Sequence, residues 1–385
     1  MATRVITRPP TADELMATRA SETMEEMYVN MGPQHPSTHG VLRLLLKLDG
    51  EIVLDVWPYI GYLHRCHEKI GENREYIQII PYTDRLDYLA SMYNNFGYVH
   101  AVEKLAGVTP PERAEYMRVI LGELQRIASH LIWLGTFGLD LGNFTLFMWC
   151  FREREMVLDL FEQVSGQRLN YSFFRIGGMP MDFPEGWIGD CKAFLEWFKP
   201  RLKEYDRLST DNIIWQKRTQ GVGVLTQEDA RAYGVSGPML RSTGIKWDLR
   251  RNDPYSIYDR FDFDIPVGER GDVWDRFWVR RREMEESIKI VEQGLRDIPP
   301  GPIMAKVPTA IKPPVGHLYS RVESPRGELG EYIVSDGSKR PYRYKVRSPA
   351  YVNLSAISCM LPGCLVADAV AVLGSIDIVL GEVDR

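Results

Sequence analysis

The stretch from Thr109 to Gly138 constrains the fold of this chain more than any other. Tyr116, Val119, Ile120, Leu124, Ile127, Leu131 and Leu134 recur at spacings of three and four, the repeat of one face of an α-helix. Thr109-Pro110-Pro111-Glu112 reads as its start. Thr109 suits the N-cap, Glu112 completes a capping box, and proline is tolerated in a first turn. Gly135 and Gly138 are expected to end the helix. A further helix is expected from Asp84 to Leu105, where Leu86, Leu89, Tyr93, Phe96 and His100 repeat in the same way. Others are expected over 143–165, stopping at Gly166, over 185–208 and over 271–297. Long amphipathic helices with short links imply a bundle core.

Strands flank this helical middle. Val41–Leu46 and Ile52–Trp57 surround Asp49-Gly50, a hairpin dipeptide. Residues 300–350 turn to Pro, Gly and short strand-like runs such as Glu331–Val334, with a second turn signal at Asp336-Gly337. Residues 363–380 read as a buried helix followed by a strand. The expected class is therefore α+β. The expected divisions are a polar N-terminal tail (1–27), a β region carrying a histidine-rich loop (28–80), a helical core (81–299) and a C-terminal α+β region (300–385). The tail shows no secretory pattern.

Composition excludes several classes. The net charge of -5 gives no sign of a nucleic-acid surface. No apolar run reaches the ~18 residues of a membrane span; the most apolar stretch, 356–380, is broken by Pro362, Gly363, Asp368 and Asp377. The five cysteines are scattered and form no C-x-x-C pair, which suits reduced thiols better than a disulfide framework or a cluster site. No P-loop, G-x-G-x-x-G helix opening, H-E-x-x-H or G-x-S-x-G is present, so the chain has no recognised route to NADH or ATP.

Four segments carry candidate chemistry. Gly32–Gly40 packs His35 and His39 between Pro and Gly, and four of the seven histidines (His35, His39, His64, His67) fall in one early region. Histidine moves protons near neutral pH. Pro36 argues against a regular helix that would aim both rings at one metal; ligand binding by the loop and simple bracing of its backbone both fit the residues. Tyr62–Lys69 is dense in ionisable groups and fits either a solvated loop or a surface facing a redox centre on another chain. Asp84 and Asp87 suit a helix start through the helix dipole; Tyr88 has no such reason to be there, although a tyrosine is more often a packing residue than a chemical one. Asp140, among leucines and glycines, is either a buried acid of raised pKa or an ordinary turn residue.

These segments together resemble a known family, the D-type subunit of NADH:quinone oxidoreductase (respiratory complex I), which is the 49-kDa subunit of mitochondria. The resemblance rests on Gly32–Gly40, Gly61–Arg65, Asp84–Tyr88, Phe151–Glu155, Phe174–Gly178, Ser236–Arg241, Arg326–Gly330 and Gly374–Arg385, in order along nearly the whole chain.

The resemblance implies a [NiFe]-hydrogenase large-subunit fold whose nickel thiolates have been lost. Aligned on Arg65 and Asp377, the four cysteine positions hold His67, Ile70, Val379 and Glu382. Soft thiolates are what nickel requires there, so no metal and no cofactor is expected on this chain. It implies a quinone site at the boundary with the B-type Fe–S subunit, which carries a 4Fe–4S cluster. His39 and Tyr88 would bond the quinone carbonyls, Asp140 would pair with His39, His35 would shape the pocket, and Arg65 would lie near the neighbour's cluster. Partners would include the B-type and C-type subunits and the H-type membrane subunit, with the chain peripheral on the cytoplasmic side of the membrane. The alternatives are a homologue fed by ferredoxin or deazaflavin, and a structural subunit with a dead site. Two departures stand out: a short Pro-rich link over Lys306–His317, and Cys66 where the family has glycine after Arg65.

Overall fold

The computed structural model describes Pro9, Thr11 and residues 26–385. Nearly all of the expected tail lies outside the described residues. The N-terminal sheet is antiparallel in the order β1 (Glu26–Met31), β2 (Arg43–Asp49), β3 (Ile52–Tyr59). The β2–β3 hairpin turns at Gly50, which adopts a left-handed φ of 55°, as tight hairpin turns require. β1 carries no clear alternation in sequence and is recruited by pairing with β2. Met31 lies opposite Leu44, so the sheet clamps both ends of the histidine-rich loop.

The helix Glu112–Asp140 runs through the centre and is buried on nearly every side. Two expectations about it are corrected. The N-cap residue is Pro111 and no side chain caps it, so Thr109 forms no capping box; Glu112 and Glu115 in the first turn complement the dipole instead. Gly135 and Gly138 do not end the helix. They let the helix Phe144–Ser165 approach: a Cβ at Gly135 would lie 3.3 Å from Cys150 Cβ, and one at Gly138 3.1 Å from Leu146 Cδ2. Asn143 caps that second helix by accepting from the Leu146 amide at 3.2 Å, and Gly166 ends it in the left-handed region. Helices Trp187–Leu208 and Val273–Asp297 form near the expected positions.

The expected helix start at Asp84 is also corrected. That helix spans Ser91–Ala106, and residues 84–90 form tight turns closed by bonds such as Ala90 N to Asp87 O at 3.1 Å. A second antiparallel sheet, β4 (Gly316–Ser324), β5 (Gly327–Ser335) and β6 (Arg343–Arg347), packs on Ser91–Ala106, where Gly97 admits Leu329 and Val322. Near the C-terminus a helix, Val366–Ile376, ends at Asp377 with φ 61°. The strand expected there is instead a short helix, Leu380–Asp384. The left-handed turn at Asp377 breaks the extended path. Small sheets around a helical core make the chain α+β.

The core is unusually polar. On the central helix Arg118, Glu123, Arg126 and His130 are all buried. Glu123 accepts from the Tyr93, Tyr258 and Ser287 hydroxyls at 2.9, 2.7 and 2.7 Å and pairs with Arg126 and Arg250. Those cations hold its carboxyl down at about 2 against the effect of burial.

Candidate functional site

The loop after β1 is braced by its own side chains. Gly32 has φ 85°, and a Cβ there would strike Leu42 O at 2.2 Å and Thr38 Oγ1 at 2.6 Å; only glycine fits. Pro36–Thr38 form one 3₁₀ turn. His35 caps it, its Nδ1 accepting from the Ser37 amide at 3.2 Å. Thr38 Oγ1 donates to Pro33 O and His35 O at 3.2 and 3.0 Å. His39 follows at φ 56° and is exposed on the loop. Crowding by the surrounding protein, with the charge of Arg326, lowers its pKa.

Tyr88 sits at the end of the 84–88 turns, half-buried. Beside it Asp87 is buried and accepts from Arg326 Nη1 at 2.5 Å. Arg326 is fully buried and also reaches Ser129 Oγ at 3.1 Å and Asp377 twice. Asp87 thus serves a buried ion network rather than a helix dipole. Burial and the Asp87 charge raise the Tyr88 pKa, while Arg326 opposes the rise. Arg326 therefore bears on both His39 and Tyr88: it disfavours a charged imidazole and favours a phenolate. Burial drives the Asp377 carboxyl up to about 6 despite Arg326 and Arg280.

A cavity of about 200 Å³ opens against Tyr88, lined also by Leu63, Arg65, His67, Ile70 and Gly381. Gly381 forms its floor because a side chain there would meet Leu86 O, Arg85 O and Tyr88 Cε1. The floor is tied down by Asp384, which accepts from the Gly61 and Leu63 amides at 2.9 and 2.7 Å. Arg65 is exposed at this cavity. Burial drives the His67 imidazole down to about 4.

Asp140 does not meet His39 among the described residues. Its carboxylate accepts from Ser37 Oγ at 3.2 Å, and the histidine whose charge bears on it is His35. Burial raises its pKa. Asp140 thus braces the loop from beneath through Ser37. The structure brings Tyr88, Arg65 and the 61–70 segment to one cavity, brings His39 and Tyr88 under one buried cation, and joins Asp140 to the His35 side of the loop. Reasoning from the sequence did not single out Arg326, Asp87 or Ser37 as site residues. Ser37 and Asp87 stand inside the polar segments 32–40 and 84–88, and Arg326 beside Pro325 and Gly327, with nothing local to say which distant side chain each would meet.

Among the described residues no three His, Cys, Asp or Glu side chains are grouped to hold a metal ion, and no helix is long and apolar enough to cross a membrane. Residues 140–385 match the family described as respiratory-chain NADH dehydrogenase, 49 Kd subunit. The chain is 56% identical over 362 residues to the D-type subunit of NADH-quinone oxidoreductase from Dehalococcoides mccartyi, covering 94% of this chain and 99% of that one. It is 55% identical over 360 residues to the corresponding subunit of Desulforamulus reducens, covering 94% and 98%. With the Geobacillus kaustophilus protein the figures are 55% over 361 residues, 94% and 98%. The protein is accordingly a part of an oxidoreductase complex of the respiratory chain. It belongs to the 49-kDa subunit family of NADH dehydrogenase, complex I.

Proposed function

We propose that this chain forms the quinone headgroup site of its complex and delivers protons to the reduced quinone. The observation that carries the reading is the Tyr88 phenol on the wall of a small cavity, backed by the buried Asp87–Arg326–Asp377 network. His67 and Ile70, two of the positions that the hydrogenase resemblance aligns with nickel thiolates, both line the cavity, which supports the reading.

Reducing a quinone to a quinol takes two electrons and two protons. A 4Fe–4S cluster on the B-type Fe–S subunit would supply the electrons, and Arg65, exposed at the cavity, would lie near it. His39 and Tyr88 each donate a hydrogen bond to one carbonyl. His39 starts as a neutral ring, since crowding and Arg326 oppose its charging. Negative charge developing on the quinone oxygens reverses that balance and draws protons forward. Tyr88 becomes acidic enough only against such an anion, and Arg326 stabilises the phenolate it leaves. Asp140 holds the loop in register through Ser37. The chain works at the cytoplasmic face of the membrane, beside the B-type, C-type and H-type subunits, and loss of protons here triggers the movement that drives pumping.

Tyr88→Phe in the intact complex tests this reading. NADH:quinone activity should fall while NADH:ferricyanide activity stays. Normal quinone reduction by the variant would remove Tyr88 from the site and sink the assignment.

A further inference from the structure

Polar groups without partners gather just behind the headgroup cavity. Glu331 in β5 is fully buried, and both of its carboxyl oxygens lack a hydrogen-bond partner among the described residues. Ser320, opposite it on β4, has a buried hydroxyl in the same state. Val346 faces Glu331 from β6, so Tyr344, two residues away, shares that face of the sheet. The Tyr344 hydroxyl makes no hydrogen bond of good geometry among the described residues and has the Glu331 carboxyl as its neighbour. Its ring lies 5.7 Å from the His67 ring, whose Nε2 is buried and in the same state. Glu382 completes the group: Oε1 has no partner among the described residues, and Oε2 accepts from the Ala350 amide at 3.3 Å.

Native interiors leave few polar atoms orphaned, and those that remain are commonly met by enclosed water or used in chemistry. Five such side chains in one place, between two openings, make a path. On one side His67 lines the headgroup cavity, and Gly381, next to Glu382, packs on Tyr88. On the other side Glu68 accepts from the Val346 amide at 3.1 Å and lines a wider cleft of about 470 Å³ with His64, Cys66 and Arg343. Its side chain is 18% exposed.

We propose that Glu331 is a proton relay that refills the headgroup cavity, passing protons inward to Glu382 and taking them from solvent past Glu68 and Tyr344. The inference rests on the quinone-site reading above. The groups facing Glu331 are Tyr98, Tyr344, Glu68, Glu382 and Ser320; Glu68 is paired with Lys345 at 2.9 Å and Arg343 at 3.7 Å, and Arg326 acts on Glu382. Burial, with the Glu68 and Glu382 charges, pushes its pKa well up, and burial with Asp87 pushes Glu382 to about 8. Both shifts run in the direction a proton donor needs. Only protons move. When Tyr88 gives its proton to the reduced quinone, Glu382 returns one to the phenolate through enclosed water. Glu331 then reprotonates Glu382 and is itself refilled from solvent. The two electrons come from the complex.

The test is Glu331→Gln in the intact complex, which keeps the side chain's size and removes its proton. Quinone reduction should fall about a hundredfold, with quinone KM and NADH:ferricyanide activity unchanged and the deficit deepening at alkaline pH, where solvent protons are scarce. An infrared band of a protonated carboxylic acid should vanish from the variant. Quinone reduction at the parent rate with the parent pH profile would overturn the relay. Where Glu331→Gln does not assemble, Tyr344→Phe decides on the same pH profile. Tyr88→Phe, run beside it, separates the two ideas. Parent activity in Tyr88→Phe would sink the quinone site itself, whereas a lost Tyr88→Phe activity with a normal Glu331→Gln would sink only the relay.

Discussion

Arg326 grips Asp377 twice, donating from Nε to its backbone carbonyl at 3.0 Å and from Nη2 to its carboxylate at 3.1 Å. Those bonds hold the left-handed reversal after Val366–Ile376. The carbonyls just before it are met by Trp133 Nε1 on Gly374 O at 2.8 Å and by Arg280 on Ser375 O and Ile376 O at 2.9 and 3.0 Å. A helix end that would otherwise leave buried acceptors unsatisfied is closed by side chains from other elements. The reversal in turn delivers Gly381 to the floor of the cavity.

Replacing Arg326 with methionine should therefore do more than remove one contact. It leaves Asp87 and Asp377 as buried acids without their main cation, a change that costs about 3–5 kcal/mol in comparable sites. The thermal transition of the chain in the purified complex should drop, and Arg326→Lys should recover only part of the loss because it lacks the forked geometry. An Arg326→Met complex as stable as the parent would show that the network contributes nothing to the fold.

Gly381→Ala probes the cavity floor. The added Cβ would lie 2.6 Å from Leu86 O, 3.0 Å from Arg85 O and 3.2 Å from Tyr88 Cε1. The first two are backbone atoms, so the turn bearing Tyr88 must move. We expect quinone KM to rise and quinone turnover to fall, with ferricyanide reduction intact. Parent kinetics in this variant would mean that the 85–88 turn yields without carrying Tyr88 off its target.

Asp84 makes the stability of the chain depend on pH. Its Oδ1 accepts from the Ser172 amide at 3.1 Å, its Oδ2 has no hydrogen-bond partner among the described residues, and burial raises its pKa to about 7. The folded state thus binds this proton more tightly than the unfolded chain does. The stabilisation is complete below the ordinary carboxyl value of about 4 and is lost as pH rises through about 7, at roughly 1.4 kcal/mol per pH unit in between. Asp84→Asn keeps the acceptor and removes the titration. Thermal melts of the complex across that range should be flatter for the variant, which overtakes the parent at the alkaline end. Parallel curves would contradict this account.

Ser37→Ala separates two roles for Asp140. If the acid works by bracing the loop, removing the Ser37 hydroxyl should slow quinone reduction severalfold, and Asp140→Asn, which can still accept, should be milder. A severe Asp140→Asn effect beside a silent Ser37→Ala would instead show Asp140 acting directly on His39, as the family resemblance implies.

Much of the proposed site could be read along the chain because local chemistry marks it. Two histidines set among Pro and Gly point to a presenting loop, and Tyr88 has no structural reason to stand beside two acids. What misled the local reading was the assumption that charge belongs at a helix start or on a surface. Asp84 and Asp87 look like N-terminal acids, yet both are buried ahead of the helix that begins at Ser91. Gly135 and Gly138 look like stops, yet they are contact points for a neighbouring helix.

The sequence by itself determined the long helices, the β2–β3 hairpin and the α+β class, because periodicity and turn chemistry depend on residues a few positions apart. Only the tertiary structure decided which charges are buried and what they meet. Arg326 finds Asp87 across 239 residues of chain, and Ser37 finds Asp140 across 103. No local pattern encodes such pairs. A buried charge takes whichever partner packing places beside it, since leaving it alone in the interior costs more than the fold can spare.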